Sequence, residues 1–160
     1  MAAPSPTLET SLTAVKTAIS AIGSIGTVVE YDHPMEDPWE YLEAYQNSST
    51  GKLDVWLIDV ESIDEVEGPA NRENYSIYNI RIRYFSVRVA SADWSKQGRI
   101  LIESVRDALN FASAIFAIGG QRQLRTPETC SLRSWGFEDE GGQRIYKGEL
   151  ALSIEARRFS

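Results

Sequence analysis

The sequence is poor in the residues that most often carry catalysis and covalent cross-links. Its 160 residues include one cysteine, which excludes a disulfide within the chain, and one histidine, which excludes metal sites built from several imidazoles. The longest apolar run, 111–118, is too short to cross a bilayer and contains Ser113. Residues 1–10 have neither the basic nor the apolar stretch of a secretory signal. We therefore expect an intracellular protein that does not enter a membrane.

Known catalytic motifs are absent as well. The chain has no G-x-S-x-G elbow, no phosphate-binding G-x-x-x-x-G-K loop and no dinucleotide-binding glycine pattern. The formal net charge of −7 argues against a protein that wraps a nucleic acid backbone. These features predict a protein without a cofactor and without enzymatic activity.

Two helices are predicted from apolar periodicity. Residues 5–22 form the first, with Ser5 as cap and Pro6 at the first helical position. The second lies within 93–116, and Gly98 is expected to make its start irregular. The core positions of the second helix are Leu101, Ile102, Val105, Leu109, Ala112 and Phe116.

Two strands are long for a chain of this size. Residues 75–89 contain no glycine or proline, and they span roughly 50 Å if they stay extended. A compact domain of this length is only about 40 Å across. The run 144–158 makes the same demand. Parts of these strands are expected to project beyond the core and to expose backbone edges, which assemblies use for contact.

The long strand also changes its apolar phase, and its neighbour in the chain is acidic. Tyr84 and Phe85 belong to opposite phases, which predicts a bulge or a bend near these two residues. Residues 61–74 contain five acids, a glycine and a proline, and are predicted to form a solvated loop. By contrast, 53–60 is apolar in both phases and is predicted to be a central strand covered on both faces.

These elements predict one domain over residues 1–160 in the α+β class. Two main helices pack on one face of a mostly antiparallel or mixed sheet, from which the long strands project. Short strands at 27–31 and 129–137 and a compact helix start at 37–40 complete the expected elements.

Only one sequence segment offers a plausible catalytic or metal site. His33 follows Asp32 and precedes Glu36 and Asp37, and these side chains could surround a metal ion. A turn leading into a helix capped by Asp37 is the favoured interpretation, because nothing in the spacing implies convergence on one point. Cys130, within a predicted strand, is interpreted as a buried structural thiol.

Several residues are predicted to contact other subunits. Arg81, Arg83 and Arg88 make the long strand basic, and they either meet an acidic neighbouring subunit or pair across strands with Glu149 or Glu155. Ile100 and Phe111 lie off the core stripe of the second helix and are also assigned to the subunit interface. The remaining candidates are acids assigned to loops that face a partner or a channel: Asp64, Glu65, Glu67, Glu138, Asp139 and Glu140.

The order of these segments resembles a known family. An amphipathic helix runs into IGSIGTVVEY at 22–31, and the acidic, aromatic segment WEYLEAY follows at 39–45. Trp-Leu-Ile at 56–58, Ile-Arg-Tyr at 82–84, a long helix and a β-hairpin come next. This pattern resembles the tail terminator proteins of long-tailed bacteriophages, the lambda-type tail-completion family, over nearly the whole chain.

The resemblance implies a structural virion protein that forms a homohexameric ring. Such a ring caps the tail tube, stops its polymerisation and provides a docking surface for the head connector or neck protein. DNA would pass through an acidic lumen without specific binding, because like charges repel phosphate. The protein would act in the phage tail or neck after assembly in the host cytoplasm. Two alternatives remain: a head-completion or neck adaptor ring, and a small ligand-binding or enzymatic domain that uses Asp32 and His33.

Overall fold

The helices and strands of the chain form an α+β fold in which the helices pack against a mixed sheet, as predicted. The computed structural model describes residues 7–30, 42–67, 73–88, 93–111, 124–125, 130–140 and 142–159. In chain order the elements are α1 (Leu8–Ser20), β1 (Thr27–Glu30), β2 (Leu53–Glu67), β3 (Glu73–Val87), α2 (Trp94–Phe111), β4 (Leu124–Arg125), β5 (Ser131–Glu140) and β6 (Gln143–Phe159). No helix in this part of the chain is long and apolar enough to cross a bilayer.

Helix α1 begins later than its sequence predicts. Thr7, rather than Ser5, is the cap: its hydroxyl accepts a hydrogen bond from the Thr10 amide at 3.2 Å. The Thr10 hydroxyl in turn accepts one from the Thr7 amide at 2.8 Å, so the two threonines cap each other reciprocally. The apolar stripe is as predicted, and Leu12, Val15 and Ile19 are buried.

Three long antiparallel strands form the centre of the sheet. The order is β1-β2-β3-β6, and the outer side of β6 is shared by β5 along its first half and β4 near its end. Among the described residues, only β1 runs parallel to its neighbour, and there it pairs with β2 from Val55 to Ile58. The predicted solvated loop at 61–74 is therefore wrong. β2 continues to Glu67 and β3 begins at Glu73.

Both faces of the sheet are buried at one end, which holds the start of β2, the end of β3 and the start of β6. We call this end the base of the sheet. The face that we call the helix face packs on α1 and α2 through side chains including Trp56, Ile82 and Tyr84. The opposite face carries a second apolar cluster, which includes Val55, Phe85 and the buried Leu42. Both apolar phases of β3 are thus buried, and of the two predicted irregularities near Tyr84 and Phe85 the bulge is wrong. β3 keeps a continuous register with β6 through these two residues.

Helix α2 lies directly on β6 because each of the two elements presents a glycine to the other. Gly98 is a regular helical residue, so the predicted irregular start is wrong. A Cβ at this position would lie 2.5 Å from a ring carbon of Tyr146. A Cβ at Gly148 on β6 would likewise collide with the side chain of Ile102 on α2. The glycine that weakens helix propensity permits this close approach of helix to sheet.

Candidate functional site

Above the second apolar cluster, the opposite face of the sheet carries a network of charged side chains. Strand alternation places Asp59 of β2 on this face, level with Arg81 of β3. Arg83 is the next residue of β3 on the same face, and it is level with Glu149 of β6. Within the described part of the chain, the ion pairs of this network join Asp59, Glu61, Arg81, Arg83, Arg133 and Glu149.

Asp59 is the buried centre of this network. The residue is only 1% exposed. Arg81 donates to both carboxylate oxygens, from Nε to Oδ1 at 3.2 Å and from Nη2 to Oδ2 at 2.5 Å. Arg83 Nη2 lies 3.4 Å from Oδ2. The hydrogen bond to Asp59 is the main reason that the pKa of Arg81 is raised above its ordinary value. Two guanidinium groups therefore compensate the desolvation of one carboxylate.

Two β-bulges contribute the outer members of the network. The register of β2 shifts between Val60 and Ser62, and that of β5 shifts between Leu132 and Ser134. The extra residues are Glu61 and Arg133, which form a bidentate ion pair with N–O distances of 2.7 and 3.0 Å. Because β3 and β6 lie between β2 and β5, this pair spans the width of the sheet. Bulges commonly re-aim a side chain in this way.

The predicted arginine face is divided between the two sides of the sheet. Arg81 and Arg83 lie on the opposite face, and Arg81 reaches Glu149 at 3.9 Å, so cross-strand pairing within the subunit is present. Arg88 bonds Asp54 at 3.2 Å, next to Tyr84, whose hydroxyl donates to the same carboxylate at 2.7 Å. In the ion pairs of the network, the charges of three arginines also balance those of three carboxylates. Contact of these arginines with an acidic neighbour stays a prediction.

The ion pair between Glu61 and Arg133 predicts a loss of stability in acid. The hydrogen bond from Arg133 is the main cause that holds the pKa of Glu61 below its ordinary value of 4.5. The stabilisation is therefore complete above that value and is lost as the pH falls through the lower, folded-state pKa. In urea titrations, wild type should have a higher midpoint than Glu61→Gln at about pH 7, and the difference should shrink as the pH falls below the ordinary pKa of the carboxyl. A difference that persists in acid would contradict this role of the carboxylate.

The predicted acids of 61–74 lie on strands and not in a loop. Asp64 and Glu65 are exposed residues of β2, and Glu67 is its last residue. The Asn79 side-chain amide donates to Asp64 at 2.9 Å, and the Ser76 hydroxyl donates to Glu65 at 2.9 Å. Cross-strand hydrogen bonds of this kind hold a polar segment in a sheet without apolar burial.

The outer edge of this part of β2 is exposed. β1 ends at Glu30, level with Ile58, so among the described residues nothing pairs with β2 from Asp59 to Glu67 on that side. The five residues from Glu61 to Glu65 are all exposed, and Ile63 retains 48% exposure. A long strand edge with an exposed apolar side chain is unusual in a protein that stays monomeric.

The acids predicted in the turn before β6 belong to the end of β5. Glu138, Asp139 and Glu140 are paired with β6, so the prediction that they lie in a loop is wrong. Asp139 is exposed, and Glu138 bonds Lys147 at 3.0 Å. Their position at one end of the sheet is compatible with a docking role.

The exposed apolar residues lie on different elements. Ile100 retains 50% exposure on α2, on the side away from the sheet, which agrees with its assignment off the core stripe. Phe111 is the last residue of α2, and its side chain lies outside the described residues. Trp135 on β5 is 57% exposed. Sequence reasoning missed it, although an aromatic residue in a charged hairpin strand was a usable signal.

The alternative candidates are the Asp32 and His33 segment and Cys130. Asp32 and His33 lie outside the described residues. Within the described ranges, no group of three or more His, Cys, Asp and Glu side chains is placed to hold a metal ion. Cys130 is buried, which raises the pKa of its thiol to about 12. Its amide donates to the Asn110 side chain at 2.6 Å, so this residue joins α2 to β5.

Comparison with protein-family models and with curated proteins finds no match to this chain. The geometry of the sheet, with its neutralised charged network and its exposed edge, is thus the main structural guide to function.

Proposed function

We propose that this protein is the subunit of a homohexameric ring that caps the end of a phage tail tube, terminates tube polymerisation and provides the docking surface for the head connector. The ring would be part of the virion and would be assembled in the host cytoplasm. The resemblance of segment order to the lambda-type tail terminators motivates this proposal. The α+β fold with two helices against a mixed sheet is compatible with it.

The observation that carries the proposal is the exposed edge of the long strands. β2 and β3 have 15 residues each and β6 has 17, so the sheet is about 50 Å long at 3.3 Å per residue. The second apolar cluster lies at its base, whereas Glu61 to Glu65 are exposed. Monomeric proteins protect such edges, and a closed ring satisfies them by contact between subunits.

The charge distribution supports passage of DNA rather than binding. In the ion pairs described on the opposite face, three arginines balance three carboxylates, so these pairs add no net charge to the −7 of the chain. Exposed acids at the end of β5, such as Asp139, add to the negative potential. An acidic channel repels phosphate groups and does not retain DNA.

The test adds the purified protein to polymerising tail-tube protein of the same phage and measures tube length by electron microscopy. Tubes should stop growing and carry a ring at one end, since a cap removes the surface to which tube subunits add. Tubes that grow to the same length with and without the protein would overturn the proposal. Rings that bind the head connector and leave tubes uncapped would instead indicate a neck adaptor.

A further inference from the structure

The half of the sheet away from its base has an even number of described strands, and their direction alternates from one edge to the other. Beyond the end of β1, the order is β2, β3, β6, β4, and each neighbouring pair is antiparallel. β2 and β4 therefore run in opposite directions at the two edges. If a second copy stands beside the first in the same orientation, its β2 lies antiparallel to the β4 of the first. The sheet can then continue from copy to copy in one unbroken antiparallel pattern.

The register places residues of opposite charge at the two ends of one row across the sheet. Asp64 pairs with Ile77, Ile77 with Glu155, and Glu155 with Arg125. Asp64 at the β2 edge is thus level with Arg125 at the β4 edge. In a neighbouring copy placed without axial shift, Arg125 of one subunit and Asp64 of the next occupy adjacent positions.

The two edges also differ in the sign of their charged residues. The β2 edge carries Asp64, Glu65 and Glu67, together with the exposed Ile63. The opposite edge carries Arg125 in β4, and Arg157 and Arg158 at the end of β6. Acids therefore occupy one edge and arginines the other.

We infer that the subunit contact of the ring is a strand-to-strand contact between the β2 edge of one copy, 62–67, and the edge formed by β4 and the end of β6 of a second copy. This inference rests on the proposed ring function and names the surfaces that make the ring. Each copy uses its two different edges, so the contact is head to tail. Such a contact cannot make a two-fold dimer, and it makes a ring where the rotation between copies closes. Opposite charge sets partner and register, as it does at other interfaces.

Single charge reversals test the contact. Asp64→Arg places arginine against Arg125 of the next copy, and Arg125→Asp places aspartate against Asp64. Each variant should reduce the ring fraction at least tenfold, measured by native mass spectrometry at high concentration and on purified tube ends. Glu43→Arg reverses an exposed acid on a segment near the base of the sheet and should assemble like wild type. Thermal unfolding shows whether each variant is folded.

Mixing the two single variants gives the decisive result. The arginine introduced at position 64 in one variant then meets the aspartate introduced at position 125 in the other, and the native Asp64 and Arg125 meet at the next contact. Rings should therefore return, with the two variants alternating and an even number of copies. The double variant Asp64→Arg, Arg125→Asp should also form rings by itself.

The outcomes separate the contact from the function. Single variants that form rings like wild type, or a mixture that stays dissociated, would overturn the edge contact and leave the capping function standing. Wild-type protein that forms no ring in solution or on tube ends would overturn both.

Discussion

Replacement of Asp59 with asparagine is expected to lower the free energy of unfolding by about 3 kcal/mol, because it leaves two guanidinium groups without their buried counter-charge. The Asp59 side chain has no exposed surface, while those of Arg81 and Arg83 are 20% and 13% exposed. An amide can accept from one arginine but cannot neutralise either. Urea denaturation monitored by fluorescence measures the change as a shift in midpoint at constant slope.

The control is Glu61→Gln in the same network. Its ion pair with Arg133 is much more exposed, and pairs of that kind contribute at most about 1 kcal/mol. Replacing the buried carboxylate of Asp59 should therefore lower the free energy of unfolding several times more than replacing the exposed carboxylate of Glu61. If the free energy of unfolding of Asp59→Asn lies within about 1 kcal/mol of the wild-type value, the loss is no larger than that for an exposed ion pair. The two arginines would then reach water without Asp59.

Gly98→Ala is expected to destabilise the fold by about 2 kcal/mol, although alanine is the better helix former. The new Cβ would lie 2.5 and 2.6 Å from two ring carbons of Tyr146. That ring is buried and packs edge-on against Phe137, at a centroid distance of 5.1 Å, so it cannot easily move aside. Thermal unfolding should show a lower midpoint than wild type.

Gly23→Ala is the matched control, because a Cβ at Gly23 meets no atom within 4 Å. Its stability should stay within about 0.5 kcal/mol of wild type. A Gly98→Ala variant as stable as wild type would show that α2 can move away from β6 at little cost.

The core of the fold was predictable where burial determines the pattern. The periodicity of α1 and the apolar run that starts at Leu53 both correspond to observed elements. The strand over 61–67 was not predictable in the same way, since its acids resemble those of a loop. Asn79 and Ser76 hold these acids in the sheet by hydrogen bonds, and neither contact leaves a periodic trace in the sequence.

The charged network was only partly predictable. Arg81 and Arg83 stood out as arginines in a strand, and Glu149 was named as a possible partner. Asp59, in the middle of an otherwise apolar segment, was a signal that would have pointed to a buried ion pair. The pair between Glu61 and Arg133 depends on two bulges, and a one-residue shift of register cannot be located from alternation alone.

The pairing of β3 with β6 also has a kinetic consequence. β2–β3 and β5–β6 are hairpins of strands adjacent in the sheet and joined by short connections, whereas β3 and β6 are separated along the chain by α2, β4 and β5. Two locally formed hairpins must therefore find each other before the central sheet exists, and this loop closure costs entropy before the contacts repay it. We expect folding to be limited by this docking step, on a timescale of milliseconds or slower, with the edges of both hairpins exposed until it is complete.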